Sequence, residues 1–357
     1  MHSSTLTLAS VLLAFASCLQ ANTQAISVEH GTARCTEMRL PADHRAVCEV
    51  SAVSRVGERL YLANDKPMGN TGASPLFDLA LEGERIAKGP PTYLQAKAFT
   101  QARKFEAMTT TLDDTHVIAI TSFSRIGSVD DATDDAFNTL LYWPVHRPQD
   151  VKLVSPSTRK GVTSSFAIRE QLVELLGAPF FQIEGLSIAP ANQLLLGVRK
   201  VGASYGQARD VFKILAVPFA FDAGEMHLTG AIRTLFEFTP EVPGSDQVLG
   251  LASLEFDRFH GGRLYALTSF EDATSIAGYL WSIPLLDGSP AEPQLVIARS
   301  GEPLRFNNKP EGLEVLDAST LLVVHDDDRF AVQSSAQGQA SGPDEFAYSI
   351  VHMATDR

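Results

Sequence analysis

The chain repeats one two-stranded device, and that repetition limits the fold more than any other property. Phe181–Ile188 is followed, after a short turn, by Gln193–Lys200, and both segments are apolar enough for buried strands. The same device recurs as Cys48–Val53 with Arg59–Asp65, Arg103–Met108 with His116–Thr121, Val248–Leu254 with Arg263–Thr268, and Lys309–Val315 with Leu321–Asp326. Five hairpins of one design point to a repeat architecture, in which each unit buries its faces only against its neighbours.

A third strand follows each hairpin, at Pro75–Ala80, Leu140–Val145, Val211–Val217, Tyr279–Ile283 and Phe346–Val351. A weaker fourth is visible at Val151–Val154, Ile232–Phe238 and Gln294–Ala298. Radial repetition of four-stranded antiparallel sheets is a β-propeller, so the expected class is all-β and single-domain over 26–357. Five blades can be counted, with room for a degenerate sixth in 66–100 or 145–180. Aligning the motif acid at Glu49, Glu106, Glu184, Leu249 and Glu311 gives spacings of 57, 78, 65 and 62 residues. The long spacing holds one helical insert near 165–176, where Phe166, Leu172, Val173 and Leu176 keep helical period and Gly177 ends the run. The last unit stops after its third strand. The orphan strand near 27–34 is expected to complete that blade, removing an open edge.

Residues 1–25 read as a signal peptide. Leu6–Ala16 is apolar but too short to span a bilayer, and Thr23-Gln24-Ala25 offers a small-x-small cleavage site. An alternative uses Ala16-Ser17-Cys18 as a lipoprotein site, with Cys18 as a lipid anchor. No transmembrane segment remains after removal, so the expected location is periplasmic or secreted. Cys35 and Cys48 then form an even pair, expected as a disulfide in an oxidising compartment and worth about 3 kcal/mol; the alternative is two separate buried thiols. The net charge of −13 excludes a phosphate-backbone binder, which needs clustered Lys and Arg.

The hairpin geometry makes a functional inference. The start of strand one and the end of strand two share a sheet edge, so they converge on one face near the channel mouth. Glu106, Glu184 and Glu311 stand at the first position, with Lys104 and Lys309 two residues before two of them. Asp65, Lys66, Arg125, Arg199, Lys200, Glu271, Asp272 and Asp326-Asp327-Asp328-Arg329 stand at the second. Such loop ends over a rigid scaffold carry function. Three chemistries compete. Glu106, Glu184, Glu311 and Asp326 would hold Ca²⁺. Arg125, Arg199, Lys104 and Lys309 would clamp an anionic substrate. A metal and the water it activates, held by Glu184, Glu311 and Asp326, would then hydrolyse that substrate. Alternatively each Glu pairs with a cation of its own or the next blade and fixes blade register.

Other signals are weaker. Ser157-Thr158-Arg159-Lys160 matches S-x-x-K without its companion motifs. His325 is a base, a ligand, or a strand-end residue in a salt bridge. Asp130, Asp131, Asp134 and Asp135 form an acidic loop, and Trp143 with Trp281 occupy equivalent core positions.

The segments Ile183-Glu184-Gly185-Leu186 with Leu195–Arg199, and Lys309-Pro310-Glu311-Gly312-Leu313 with Leu322–Asp326, resemble an exported bacterial β-propeller family of unknown function, similar to phytase-like and esterase-like propellers. The resemblance covers roughly 100–330. It implies a propeller and a link to Ca²⁺-dependent phosphoester hydrolysis, though fold alone does not fix function. Leu249 in place of an acid departs from the pattern. Two functions follow as expectations: a metal-assisted hydrolase of phosphate or other anionic esters, and a non-catalytic propeller that binds an envelope protein.

Overall fold

The computed structural model describes residues 23–37, 48–68, 73–128, 130–272, 275–286, 288–326, 333–334, 339–340 and 342–354. Cys18, the signal segment up to 22, and Asp327, Asp328 and Arg329 lie outside the described residues.

Five antiparallel sheets form the five blades of a propeller. Their inner strands are Val50–Val56, Phe105–Thr110, Phe180–Ala189, Gly250–Phe256 and Pro310–Asp317. Each inner strand packs on the next, and the fifth packs back on the first, closing the ring. The second strands are Arg59–Asn64, His116–Thr121, Gln193–Gly202, Arg263–Glu271 and Thr320–His325. The third are Leu76–Glu82, Leu140–Pro144, Ala208–Asp222, Ile276–Leu286 and Glu345–Met353.

The sequence forms these strands because both faces of every blade are covered. Leu194, Leu195 and Leu196 are all buried, although successive strand residues point to opposite faces. Leu194 and Leu196 enter the core between blades two and three, while Leu195 enters the core between blades three and four. Five apolar clusters fill the five gaps in this way. The near-continuous apolar runs therefore reflect two-sided burial, as in other covered sheets.

The outer strands are the irregular part. Blade two has the two-residue strand Lys152–Leu153, and blade four has the fragments Gln294–Leu295 and Arg305–Phe306. Blade five takes its outer strand from the other end of the chain: Gln24–Arg34 pairs antiparallel with Glu345–Met353. That strand begins ahead of the expected cleavage point. Ala25 is 2% exposed, and Thr23 O accepts from Ile297 N at 3.0 Å.

The helical insert is Phe166–Leu176, ended by Gly177 in the left-handed conformation at φ 63°. Ile168 and Leu172 join the core between blades two and three. Buried Arg169 donates to Phe123 O and, at 2.6 Å, to Pro179 O, tying the insert to the loop after the second strand of blade two. Trp143 packs edge-on against Phe99, and Trp281 Nε1 donates to Thr268 Oγ1 at 2.8 Å, so both are core residues. Cys35 and Cys48 form a disulfide.

Candidate functional site

A bulge in each inner strand builds the site. In every blade the ladder slips by one residue at the same level, leaving Ser51, Glu106, Glu184, Ala252 and Glu311 as the extra residues. A bulge re-aims its side chain and is common beside functional sites. Three of the five carry a carboxyl. The alignment on Glu49 and Leu249 is thereby corrected, since the equivalents in blades one and four are Ser51 and Ala252. Glu49 instead occupies the level of Lys104, Gln182, Gly250 and Lys309, two residues ahead of the bulge.

The residue after each bulge is small: Ala52, Ala107, Gly185, Ser253 and Gly312. The reason is the approach of the next blade. A Cβ on Gly312 would fall 2.5 Å from Val324 Cγ2 and 3.2 Å from Val53 Cγ1. Gly250 leaves room of a different kind, because a Cβ there would lie 2.8 Å from Arg199 Cγ. Blade four thus contributes space, into which the arginine of blade three swings.

The carboxyls and cations mesh across blades. Lys104 Nζ lies 2.6 Å from Glu106 and 3.3 Å from Asp65 of blade one. Its backbone sits at φ 61°, where non-glycine residues are uncommon. Arg199 Nη1 donates to Glu184 at 2.7 Å and lies 4.0 Å from Glu311, while its Nε lies 3.6 Å from Asp210. Lys309 Nζ lies 2.7 Å from Glu311, 3.5 Å from Glu271 of blade four and 4.0 Å from Asp326. Lys200 pairs with Asp210 at 2.7 Å and Lys66 with Glu49 at 2.5 Å. Glu106, Glu184, Glu311, Arg199 and Asp326 are all buried.

This network holds eight carboxyls against five cations. Protons meet the surplus. Burial, reinforced by Asp65, pushes the Glu49 carboxyl up to about 8. Burial likewise raises Glu106, Glu311 and Asp326, with neighbouring carboxylates adding to the rise. Burial works to discharge Lys104, Lys309 and Arg199, but the acids around them win and hold all three charged. Carboxyls raised by burial beside fixed cations are suited to proton transfer.

Two clefts flank the ring. One of about 970 Å³ lies at blades three and four, lined by Asp210, Arg209, Lys213, Phe212, Phe238 and Val242. Asp210 connects it to Arg199. The other, about 180 Å³, lies at blades one and two and includes Asp65, Lys66 and Lys104.

Of the expected residues, the structure brings together Glu106, Glu184, Glu311, Asp326, Lys104, Lys309 and Arg199. Arg125 stands apart. It is exposed, and its guanidinium lies 4.7 Å from the Phe137 ring centroid. His325 is no salt-bridge partner: Nε2 meets Ser349 Oγ at 2.8 Å, and burial pushes its pKa down to about 3, so it is neutral. The carboxyl set does not fit Ca²⁺. Glu106, Glu184 and Glu311 each already hold a lysine or arginine nitrogen within 2.7 Å. Among the described residues no group of three or more His, Cys, Asp or Glu is placed to hold a metal ion. The sequence reading placed Lys200 on this face but missed its partner Asp210, and it missed a second polar layer at the opposite mouth, whose signal was a polar residue three positions past each bulge.

No family model matches the chain, and no curated protein is similar to it. Solved structures similar to it include the PQQ-bound aldose sugar dehydrogenase of Streptomyces coelicolor, at 11% identity over 92% of this chain and 100% of that one, with a TM-score of 0.37. The catalytic domain of a GH62 α-L-arabinofuranosidase from Coprinopsis cinerea matches at 9% identity over 94% of this chain and 98% of that one, with a TM-score of 0.45. At these scores neither likeness carries an argument about chemistry.

Proposed function

We propose that the charged mouth of the channel is the active site of an exported hydrolase of small esters, in which buried carboxyls move the protons. The observation that supports this most is the set of raised carboxyls at one end of the channel, since perturbed groups beside a cleft mark functional sites. In the proposed reaction water attacks the ester carbonyl. Glu184, oriented by Arg199, takes the water proton. The ester C–O bond then breaks as Glu106, whose carboxyl burial raises, delivers a proton to the leaving oxygen; Lys104 stabilises the negative charge on the carbonyl oxygen, and the proton taken by Glu184 passes through solvent to restore Glu106. The substrate enters from the cleft beside Asp210.

Phosphate esters and a bound Ca²⁺ form the weaker branch of this reading. A dianionic phosphate would enter a ring that already has more carboxyls than cations, and Ca²⁺ would have to displace a lysine or arginine. The disulfide supports an oxidising, periplasmic or secreted location. No helix among the described residues is long and apolar enough to cross a membrane.

A specific observation favours a second reading, a non-catalytic binding propeller of the envelope. Each of Lys104, Arg199 and Lys309 is engaged by acids of its own chain, as expected if the pairs fix blade register. Release of p-nitrophenol from the acetate, butyrate and phosphate esters separates the readings. Hydrolysis is expected for the carboxylic esters, with Glu184→Gln lowering kcat by about 10²-fold or more. No turnover of any ester, or an unchanged kcat in the variant, removes the hydrolase reading. Thermal unfolding in excess Ca²⁺ against chelator tests the metal branch: a ligand at 100 times its Kd would add about 2.7 kcal/mol.

A further inference from the structure

The inner strands carry a second polar layer toward the opposite mouth of the channel. Three residues past each bulge stand Ser54, Thr109, Ser187, Glu255 and Glu314, all buried in otherwise apolar strands. Phe256 N donates to Ser187 Oγ at 2.9 Å, and Arg55 N donates to Glu314 Oε2 at 3.0 Å. Glu255 Oε2 is buried with no hydrogen-bond partner, in a residue only 7% exposed. Burial raises both acids, Glu314 to about 7, and Glu314 adds to the rise of Glu255.

One arginine spans this mouth. Arg258, in the turn after the inner strand of blade four, donates at 3.1 Å to Thr110 O and Thr111 O of blade two, and at 2.5 Å to Asp114. Beneath it lies a cavity of about 450 Å³, within the range of small-molecule sites. Arg55, Thr110, Asp114, Arg258 and Glu314 line it, with Phe259 among the lining residues at 48% exposure. The half-exposed phenyl ring, with Val56, Val145 and Val315, gives the cavity an apolar wall beside its charged groups.

We propose that this cavity binds a neutral, hydroxyl-rich ligand of the monosaccharide or disaccharide class, with Phe259 under its apolar face. Two arginines face Asp114 and a Glu314 whose carboxyl burial raises to about 7, so the lining has no carboxyl surplus to draw a cation. Both guanidinium groups are already committed: Arg55 donates to Gly57 O at 2.8 Å and to Leu316 O, and Arg258 to the groups named above. An anion would therefore find no fork ready for it. The second carboxyl oxygens of Asp114 and Glu314, beyond those that accept from Arg258 and Arg55 N, suit a ligand that donates through many hydroxyls. An aromatic face supplies the contact for its C–H surface. The ester site at the other mouth has the opposite character, a carboxyl surplus.

The test is saturation-transfer NMR followed by calorimetric titration of the full mature chain. The probes are methyl α-D-glucopyranoside, L-arabinose and cellobiose, with inorganic phosphate and choline as ionic controls. At least one carbohydrate is expected to bind, and Phe259→Ala to weaken it about 10-fold while leaving melting temperature and ester turnover unchanged. Glu314→Gln, which keeps the acceptor for Arg55 N, is expected to weaken the same ligand. Silence across the carbohydrate panel overturns the proposal. So does carbohydrate binding indifferent to both substitutions, or a site that takes phosphate or choline instead.

Discussion

Replacing Arg199 by methionine is the sharpest probe of the charged ring. The side chain is 4% exposed and faces Glu184, Glu311 and Asp210 at 2.7, 4.0 and 3.6 Å. Methionine fills much of the same volume but leaves those acids without their cation. Removing one partner of a buried ion pair typically costs about 3–5 kcal/mol, because the other charge stays buried. Unfolding entropy of about 2.1 cal/mol/K per residue makes each kcal/mol worth about 1.3 °C in a chain of this length, so the midpoint should fall about 4–7 °C at pH 8. The deficit should shrink toward pH 5, where the abandoned carboxyls take up protons. Calorimetry and urea titration of both proteins across that range measure it. A loss below about 1 kcal/mol at pH 8, or a deficit that does not change with pH, would refute the idea that Arg199 compensates buried negative charge.

Three further outcomes follow from the same structure. Wild-type stability should fall as pH rises from about 4.5 to 8, because Glu49 and Glu314 have folded values raised from 4.5 to about 8 and 7, so their contribution is fully present below the unfolded value and lost as pH passes the folded ones. His325, buried neutral with its value pushed from 6.5 down to about 3, opposes that fall below pH 6.5, so His325→Asn should steepen it between about 4.5 and 6.5 and leave the slope above 6.5 unchanged, as melting curves at intervals of pH will show. Gly197→Ala should destabilise by about 1–3 kcal/mol, since its Cβ would fall 2.4 Å from Leu251 Cδ2 and 2.9 Å from Gly185 Cα. A Leu251→Ala partner mutation should recover part of that loss if the clash is the cause. Reducing Cys35–Cys48, whose sequence separation is 13, should cost about 3 kcal/mol and lower the midpoint by a few degrees in a melt with reductant.

The parts of this molecule that sequence reveals are those set by local pattern. The five hairpins announce themselves because both faces of each blade are buried, which writes apolar runs such as Leu194–Leu196 directly into the chain. Gly177 marks the end of the insert helix because a left-handed residue is needed there. Register is another matter. A bulge adds one residue to one strand without changing composition, so Glu49 and Ser51 cannot be ranked by eye, and aligning on the nearest acid shifts blade one by two positions. Outer strands are as short as two residues, so Thr92–Tyr93 and Arg305–Phe306 leave no periodic trace. Arg125 looked equivalent to Arg199 because both follow a second strand. The loop after Thr121, pinned by Arg169, carries it outward. Glu255 and Glu314 were legible in principle as lone acids in apolar strands, a placement that buried chain does not accept without reason.

The pairing of Gln24–Arg34 with Glu345–Met353 also has a consequence for biosynthesis. A chain made from its N-terminus presents that first strand hundreds of residues before its partner exists. Until then its hydrogen-bonding edge is open, and the fifth gap between blades has only one wall. The first four blades have their strands close at hand in sequence, but the ring cannot close on them. The last nine-residue strand to appear supplies two edges at once, one for Thr320–His325 and one for Gln24–Arg34. Such long-range closure is slow by its topology, and the waiting edge is where a nascent chain would stick to another. Any handling of this protein that truncates the region beyond 345 should therefore yield aggregates of open rings rather than a smaller propeller.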